Sequence, residues 1–313
     1  MTGVFLSKFG GQKNFIEFID RILRISMVSV NSQFNNPPNM KKTSVILAAL
    51  AVIALPSAQA TLLVYEPFLT GGSNYNTSIS LIGQGPTSLG FTGNWITGTT
   101  GPADPVATGL TYTGVESAGG AATIGTSNVR TGRLLETPFT ASTTGTYYLS
   151  FLMDLGGVDS QYKALEVHDG GFAASNRNFR LGNGGGAGGF SATNFGFRIA
   201  DGASQDLGAA DTNVNFFVVR FDLSSTAASD TVTVYRNPSD LSVETNNTGV
   251  TLSGQDIHFD RITLAQFTSQ QVTYDEIRIG TTFTSVIPEP SSAALLGIAG
   301  AAFGLIARRV RNR

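Results

Sequence analysis

Hydrophobic and polar residues alternate with a period of two along much of the chain. Tyr147, Leu149, Phe151 and Met153 alternate with Tyr148, Ser150, Leu152 and Asp154. Phe195, Phe197 and Ile199 alternate with Asn194, Gly196 and Arg198, and Phe217, Val219, Phe221 and Leu223 with Phe216, Val218, Arg220 and Asp222. The same rhythm holds for Val232 and Val234, and for Ile277 and Ile279. Alternation sends one set of side chains to a core and the other to water, the pattern of half-buried antiparallel strands. Clusters such as Arg236-Asn237-Pro238-Ser239 and Asp201-Gly202 separate the runs and mark turns. No long stretch of helical period interrupts them between residues 61 and 287. Many short strands in one segment predict an all-β domain, an antiparallel β-sandwich, over 61–287.

Two segments break the pattern, one at each end. Residues 40–60 read MKKTSVILAALAVIALPSAQA: Lys41 and Lys42, an unbroken apolar run from Val45 to Leu55, a breaking Pro56, and the small-x-small site Ala58-Gln59-Ala60. That is the anatomy of a secretory signal peptide, with Thr61 the first residue after cleavage. Residues 1–39 precede it. They read either as an amphipathic extension or as sequence upstream of a translation start at Met40, and the second is the simpler expectation. At the other end come Pro288-Glu289-Pro290, then 17 uncharged and mostly apolar residues (291–307), then Arg308, Arg309, Arg311 and Arg313. Seventeen helical residues span roughly 25 Å, enough for a thin hydrocarbon core, with the arginines kept on the cytoplasmic side. Gly300 and Gly304 permit close helix packing in lipid.

This C-terminal series resembles the PEP-CTERM sorting signal of Gram-negative bacteria, with all three parts in order over 288–313. The resemblance implies export, transient residence in the inner membrane and recognition of Pro288, Glu289, Pro290, Arg308, Arg309 and Arg311 by an exosortase. It implies a final place at the cell surface or in an exopolysaccharide matrix. The tail is an address and leaves the role of 61–287 open.

Composition sharpens the picture once the ends are removed. The whole chain carries 20 Lys and Arg against 22 Asp and Glu, a formal net charge of −2. The ends are basic, so residues 61–287 hold ten basic and nineteen acidic groups, a net of −9, with Lys163 as the sole lysine. An acidic domain of this kind is not built to bind nucleic acid. No cysteine is present, which excludes disulfides, thiolate metal sites and a cysteine nucleophile. A segment of this length buries enough surface to fold without such staples.

Candidate chemistry is sparse. His168 stands beside Asp169, but no G-x-S-x-G elbow accompanies them, so a serine triad is not expected. Glycoside hydrolysis needs two carboxylates at a fixed separation. Glu166 and Asp169 fall on opposite faces of a strand, and adjacent Asp275 and Glu276 also oppose each other. Asp154 with Asp159, Asp201 with Asp206, and Asp256 with Asp260 are loop-compatible pairs and the candidate calcium ligands, against the plainer reading of solvated aspartates. Gly184, Gly186 and Gly189 satisfy G-x-G-x-x-G, but a strand pattern follows, so the run reads as a hairpin loop. Trp95, the sole tryptophan, is either core or a stacking surface for a sugar ring.

A second resemblance rests on Tyr65-Glu66-Pro67-Phe68, on the strand pair within 215–235, and on Tyr274-Asp275-Glu276-Ile277-Arg278-Ile279-Gly280. This series is similar to the laminin-G and concanavalin-like jelly rolls of exported bacterial proteins. That likeness implies a glycan-binding or structural module, with calcium held at the sandwich rim in many members. The expectation is a non-enzymatic exported protein whose partners are the secretion machinery, the exosortase and extracellular polysaccharide. The alternatives are a polysaccharide-active enzyme, hydrolase or lyase, on the same fold, or a protein–protein adhesion module.

Overall fold

The computed structural model of the chain describes residues 60–288, except 100, 126–127, 185–189 and 268–269. Among them fifteen strands, numbered in chain order, form two antiparallel sheets. The eight-stranded sheet holds β1 (Leu62–Glu66), β3 (Ala103–Val106), β4 (Ala121–Ile124), β6 (Gly145–Asp154), β11 (Asn215–Leu223), β12 (Asp230–Arg236), β13 (Val250–Gln255) and β15 (Val272–Gly280). The seven-stranded sheet holds β2 (Phe91–Thr97), β5 (Val129–Phe139), β7 (Tyr162–His168), β8 (Arg177–Asn183), β9 (Asn194–Ile199), β10 (Ser204–Ala209) and β14 (Phe259–Phe267). The helical segments described are short 3₁₀ turns such as Thr284–Val286, and no helix among these residues is long and apolar enough to cross a membrane. The signal segment through Gln59 and the tail from Glu289 onward lie outside the described residues.

β5 and β14 pair in the seven-stranded sheet, and their continuations β6 and β15 pair in the other. A two-stranded antiparallel ribbon thus wraps from one sheet onto its partner, which makes the sandwich a concanavalin-like jelly roll. The apolar set predicted by alternation fills the space between the sheets. Phe195 meets Phe217 edge-on at 5.2 Å, and Phe179 meets Phe221 at 5.4 Å, both across the sandwich. Such pairs add about 0.5–1.5 kcal/mol each beyond the area they bury.

The central strands differ from the half-buried pattern. β6, β7 and β11 are buried along both faces over most of their length. On the eight-stranded sheet the reason is a second apolar layer. Leu110, Tyr112, Val115, Phe283, Val286 and Ile287 fold back over Tyr148, Leu152, Phe216 and Val218 on the outer face. Ser150 Oγ, buried beneath this layer, donates to the Val286 carbonyl at 2.6 Å.

Asp275 and Glu276 do not oppose each other as strict alternation requires. The register between β15 and β6 slips between Asp275 and Arg278, and Glu276 takes φ = +52°. This bulge inserts an extra residue, so both carboxylates emerge on the outer face. There Asp275 accepts from Leu110 N and Ser117 Oγ, each at 2.8 Å, and Glu276 accepts from Ala118 N at 2.6 Å and Tyr65 OH at 3.1 Å. The strained backbone is the cost of anchoring the 110–118 segment twice.

Burial, reinforced by the charge of Glu276, pushes the Asp275 carboxyl up to about 7. An unfolded Asp titrates near about 3.9, so the fold prefers the protonated form. Its contribution to stability is complete below about pH 4, declines as pH rises and is gone above about 7. Urea unfolding at intervals from pH 4 to 8 should therefore show the wild type losing roughly 2–4 kcal/mol more than Asp275→Asn over that window. Parallel profiles for the two proteins would contradict this assignment.

Candidate functional site

The outer face of the seven-stranded sheet is polar, cationic and buried at its centre. Register aligns Arg198 of β9, Arg180 of β8, Glu166 of β7, Thr263 of β14 and Gly132 of β5 in one row across the strands. The rows on either side add Arg261 beside His168, and Arg130 beside Ala265. With Arg177, which pairs with His168 and donates to Glu166, five of the ten basic residues in 61–287 project from one face of an otherwise acidic domain.

Glu166 is the hub. Its carboxylate accepts from Arg130 Nε at 2.8 Å, Arg177 Nη1 at 3.0 Å and Tyr162 OH at 2.5 Å, and lies 2.9 Å from His168 Nε2. Burial alone would raise its pKa. The His168 hydrogen bond and the Arg130 and Arg177 charges outweigh that and hold it well below the usual carboxylate range. Aromatic rings surround the hub. Tyr162 stacks with Phe190 at 5.8 Å and with Phe267 at 5.6 Å. The guanidiniums of Arg130 and Arg261 lie over Phe267 and Phe172 at 5.0 and 5.3 Å. Gly132 is required beneath Phe172, because a Cβ there would come within 2.9 Å of the ring.

The face is incompletely satisfied. His168 Nδ1, Arg177 Nε, Arg180 Nε and Thr263 Oγ1 are buried and have no hydrogen-bond partner. Each such group costs on the order of 1–3 kcal/mol, so four on one face set it apart from the fully paired hub at Glu66 and Arg133. Arg177 and Arg180 share only one further acid, Asp201, at 3.3–3.4 Å.

The other candidates scatter. His168 pairs with Glu166, two residues back on the same strand face, while Asp169 lies past the end of β7 and faces His258 at 3.5 Å. Asp206 accepts from Asn194 and from Gly208 N, apart from the Asp201 contacts. Trp95 is wholly buried, with Nε1 donating to Tyr75 OH at 2.7 Å and Phe68 stacked on it at 5.8 Å. No ring face is left there for a sugar. Thr61 is exposed at the start of β1, its carbonyl accepting from Thr281 N, with Ala60 also exposed beside it. Pro288 is buried, and Ala58, Glu289, Pro290, Arg308, Arg309 and Arg311 lie outside the described residues. Among the described residues no cluster of three or more His, Asp or Glu is arranged to hold a metal.

The Asp154–Asp159 loop has its own cation. The Lys163 ammonium is buried within it, donating to the carbonyls of Gly157 at 2.5 Å and Leu155 at 3.3 Å, with Asp159 at 3.4 Å. Those are oxygens of the type calcium takes, filled here by the only lysine of the domain.

No protein-family model matches the chain, and no curated protein matches it. Among solved structures, the fold is similar to the T. cruzi calreticulin globular domain (7% identity, TM-score 0.40, covering 60% of this chain and 84% of that one). It is also similar to the metal-free carbohydrate recognition domain of Emp46p (10% identity, TM-score 0.36, 53% and 84%). A third is a GH131 beta-glucanase catalytic domain from Podospora anserina (15% identity, TM-score 0.32, 59% and 89%). At these identities the likeness concerns the fold alone.

If the ammonium takes the place of a metal, chelation should not matter at this loop. EDTA is expected to leave the melting temperature unchanged, whereas Lys163→Met should destabilise the domain by about 2 kcal/mol in urea. A large EDTA effect together with a neutral Lys163→Met would reverse the assignment.

Proposed function

We propose that the chain is an exported protein of a Gram-negative cell surface or matrix, and that its jelly roll binds extracellular polysaccharide through the outer face of the seven-stranded sheet. The observation that carries the binding half is the set of unpartnered buried donors and acceptors around Glu166, ringed by Tyr162, Phe172, Phe190 and Phe267. Sugars present hydroxyls that meet such groups and apolar ring faces that meet aromatic ones. Export and exosortase sorting are supported by the segments 40–60 and 288–313, each with its parts in order.

Binding is favoured over hydrolysis by the placement of the carboxylates. Glu166 is held as an anion by four partners and is unsuited to giving up a proton. Asp275, whose carboxyl titrates near 7, lies on the outer face of the opposite sheet beneath the 110–118 segment. An acid and a base that flank one glycosidic bond need to share a cleft, and these two sit on opposite sides of the sandwich.

A glycan array probed with the exported protein is expected to give binding that EDTA leaves intact. Silence on the array would remove the glycan reading in favour of an adhesion module, and sugar release from matrix polysaccharide would favour an enzyme. For the address, deleting 288–313 should divert the protein to the periplasm or medium. Unchanged localisation would contradict sorting by the tail.

A further inference from the structure

We propose that Arg177 and Arg180 form a cradle for the anionic group of an acidic polysaccharide, a carboxylate or sulfate, and that Asp201 occupies it as a displaceable stand-in. This deepens, and rests on, the glycan-binding reading above. The starting point is a mismatch. Arg180 is fully buried, yet its only acid partner is Asp201, whose side chain is 64% exposed and whose Oδ1 lies at 3.3 Å from both Nη atoms. Arg177 reaches the same Oδ1 at 3.4 Å. One carboxylate oxygen therefore serves two guanidiniums over long contacts, while both Nε atoms are left without an acceptor.

Arg133 shows how this chain treats a buried guanidinium with no such task. Its Nε donates to Gly93 O at 3.0 Å, Nη1 to Glu66 at 2.7 Å and Nη2 to Pro86 O at 2.7 Å, so all three nitrogens are engaged. Arg177 and Arg180 depart from that standard on one strand, β8, on the face that gathers half of the domain's basic residues. Arginine is also the side chain whose fork matches carboxylate and sulfate oxygens two at a time.

Asp201 is placed to be exchanged. It sits in the turn after β9, where Ala200 takes φ = +45° and Arg198 braces the backbone by donating to the Asp201 and Gly202 carbonyls. The turn is held by its main chain, so the Asp201 side chain can swing away without unfolding it. Because that carboxylate is exposed, the position it occupies opens to solvent. An incoming sugar carboxylate or sulfate would take its place and supply the second oxygen that both Nε atoms lack.

The test is calorimetric titration of the exported protein with three hexamers: galacturonic acid, sulfated glucose and uncharged cellohexaose. The charged hexamers should bind about tenfold or more tightly than cellohexaose, the worth of one charge-assisted hydrogen bond. Added salt should weaken only the charged ones. Asp201→Asn removes the competing anion from an exposed position and should tighten a charged hexamer by about tenfold, leaving cellohexaose unchanged. Which charged hexamer responds identifies the group recognised. Equal affinity for cellohexaose, or no response to Asp201→Asn, overturns the cradle while the glycan reading survives. Failure of all three hexamers and of the array overturns both.

Discussion

A carboxylate taken out of water must collect donors, and this domain is held together around a few carboxylates that do so. Glu66 gathers Arg133, Tyr75, Ser88 and the Phe68 N–H. Glu166 gathers Arg130, Arg177, Tyr162 and His168. Glu276 ties Tyr65 and Ala118 to β15, across 211 and 158 residues of sequence. Glu244 receives Tyr148, Tyr235 and Arg220. Each hub joins segments distant in the chain, which is the task disulfides perform in many exported domains. Without cysteine, the chain uses the directional demand of desolvated charge instead: a hub with a missing partner leaves an uncompensated group behind, so each arrangement is enforced as a unit.

The same demand singles out the candidate face. Where a hub is purely structural, as at Glu66 and Arg133, every nitrogen and oxygen finds a neighbour. On the outer face of the seven-stranded sheet the accounts stay open, with more guanidinium than carboxylate and with donors that have no acceptor. The fold places this excess on a broad sheet surface edged with aromatic rings. That combination is what the proposed glycan-binding reading rests on.

Much of the architecture was legible in the sequence because side-chain alternation reports strands directly. Tyr147 to Asp154, Asn194 to Ile199 and Asn215 to Leu223 fall in strands, and their apolar sets form the core. Alternation misled at Asp275 and Glu276, where one inserted residue defeats a strict period of two. The likeness based on Tyr65-Glu66-Pro67-Phe68 and Tyr274 to Gly280 turns out to have a physical basis: β1 pairs with β15, Arg278 lies over the Tyr65 ring at 4.2 Å, and Tyr65 OH reaches Glu276. The candidate site was largely hidden. Glu166 and His168 carry a local signal, since residues two apart share a strand face. Arg130, Arg180 and Arg261 join them only through the register of four strands, which no spacing in the sequence reveals. The Asp154–Asp159 pair was visible, but the Lys163 ammonium that fills it became evident only from the loop's shape.

The central claim is that the Nε–H groups of Arg177 and Arg180 await an anionic sugar oxygen while that of Arg133 is already bonded. Nitrogen-detected NMR of arginine side chains reports each Nε–H separately. On titration with oligogalacturonate, the Arg177 and Arg180 signals should move downfield and become protected from exchange with water, with Arg133 unchanged as the internal reference. No movement at Arg177 and Arg180, or equal movement at Arg133, would contradict the account.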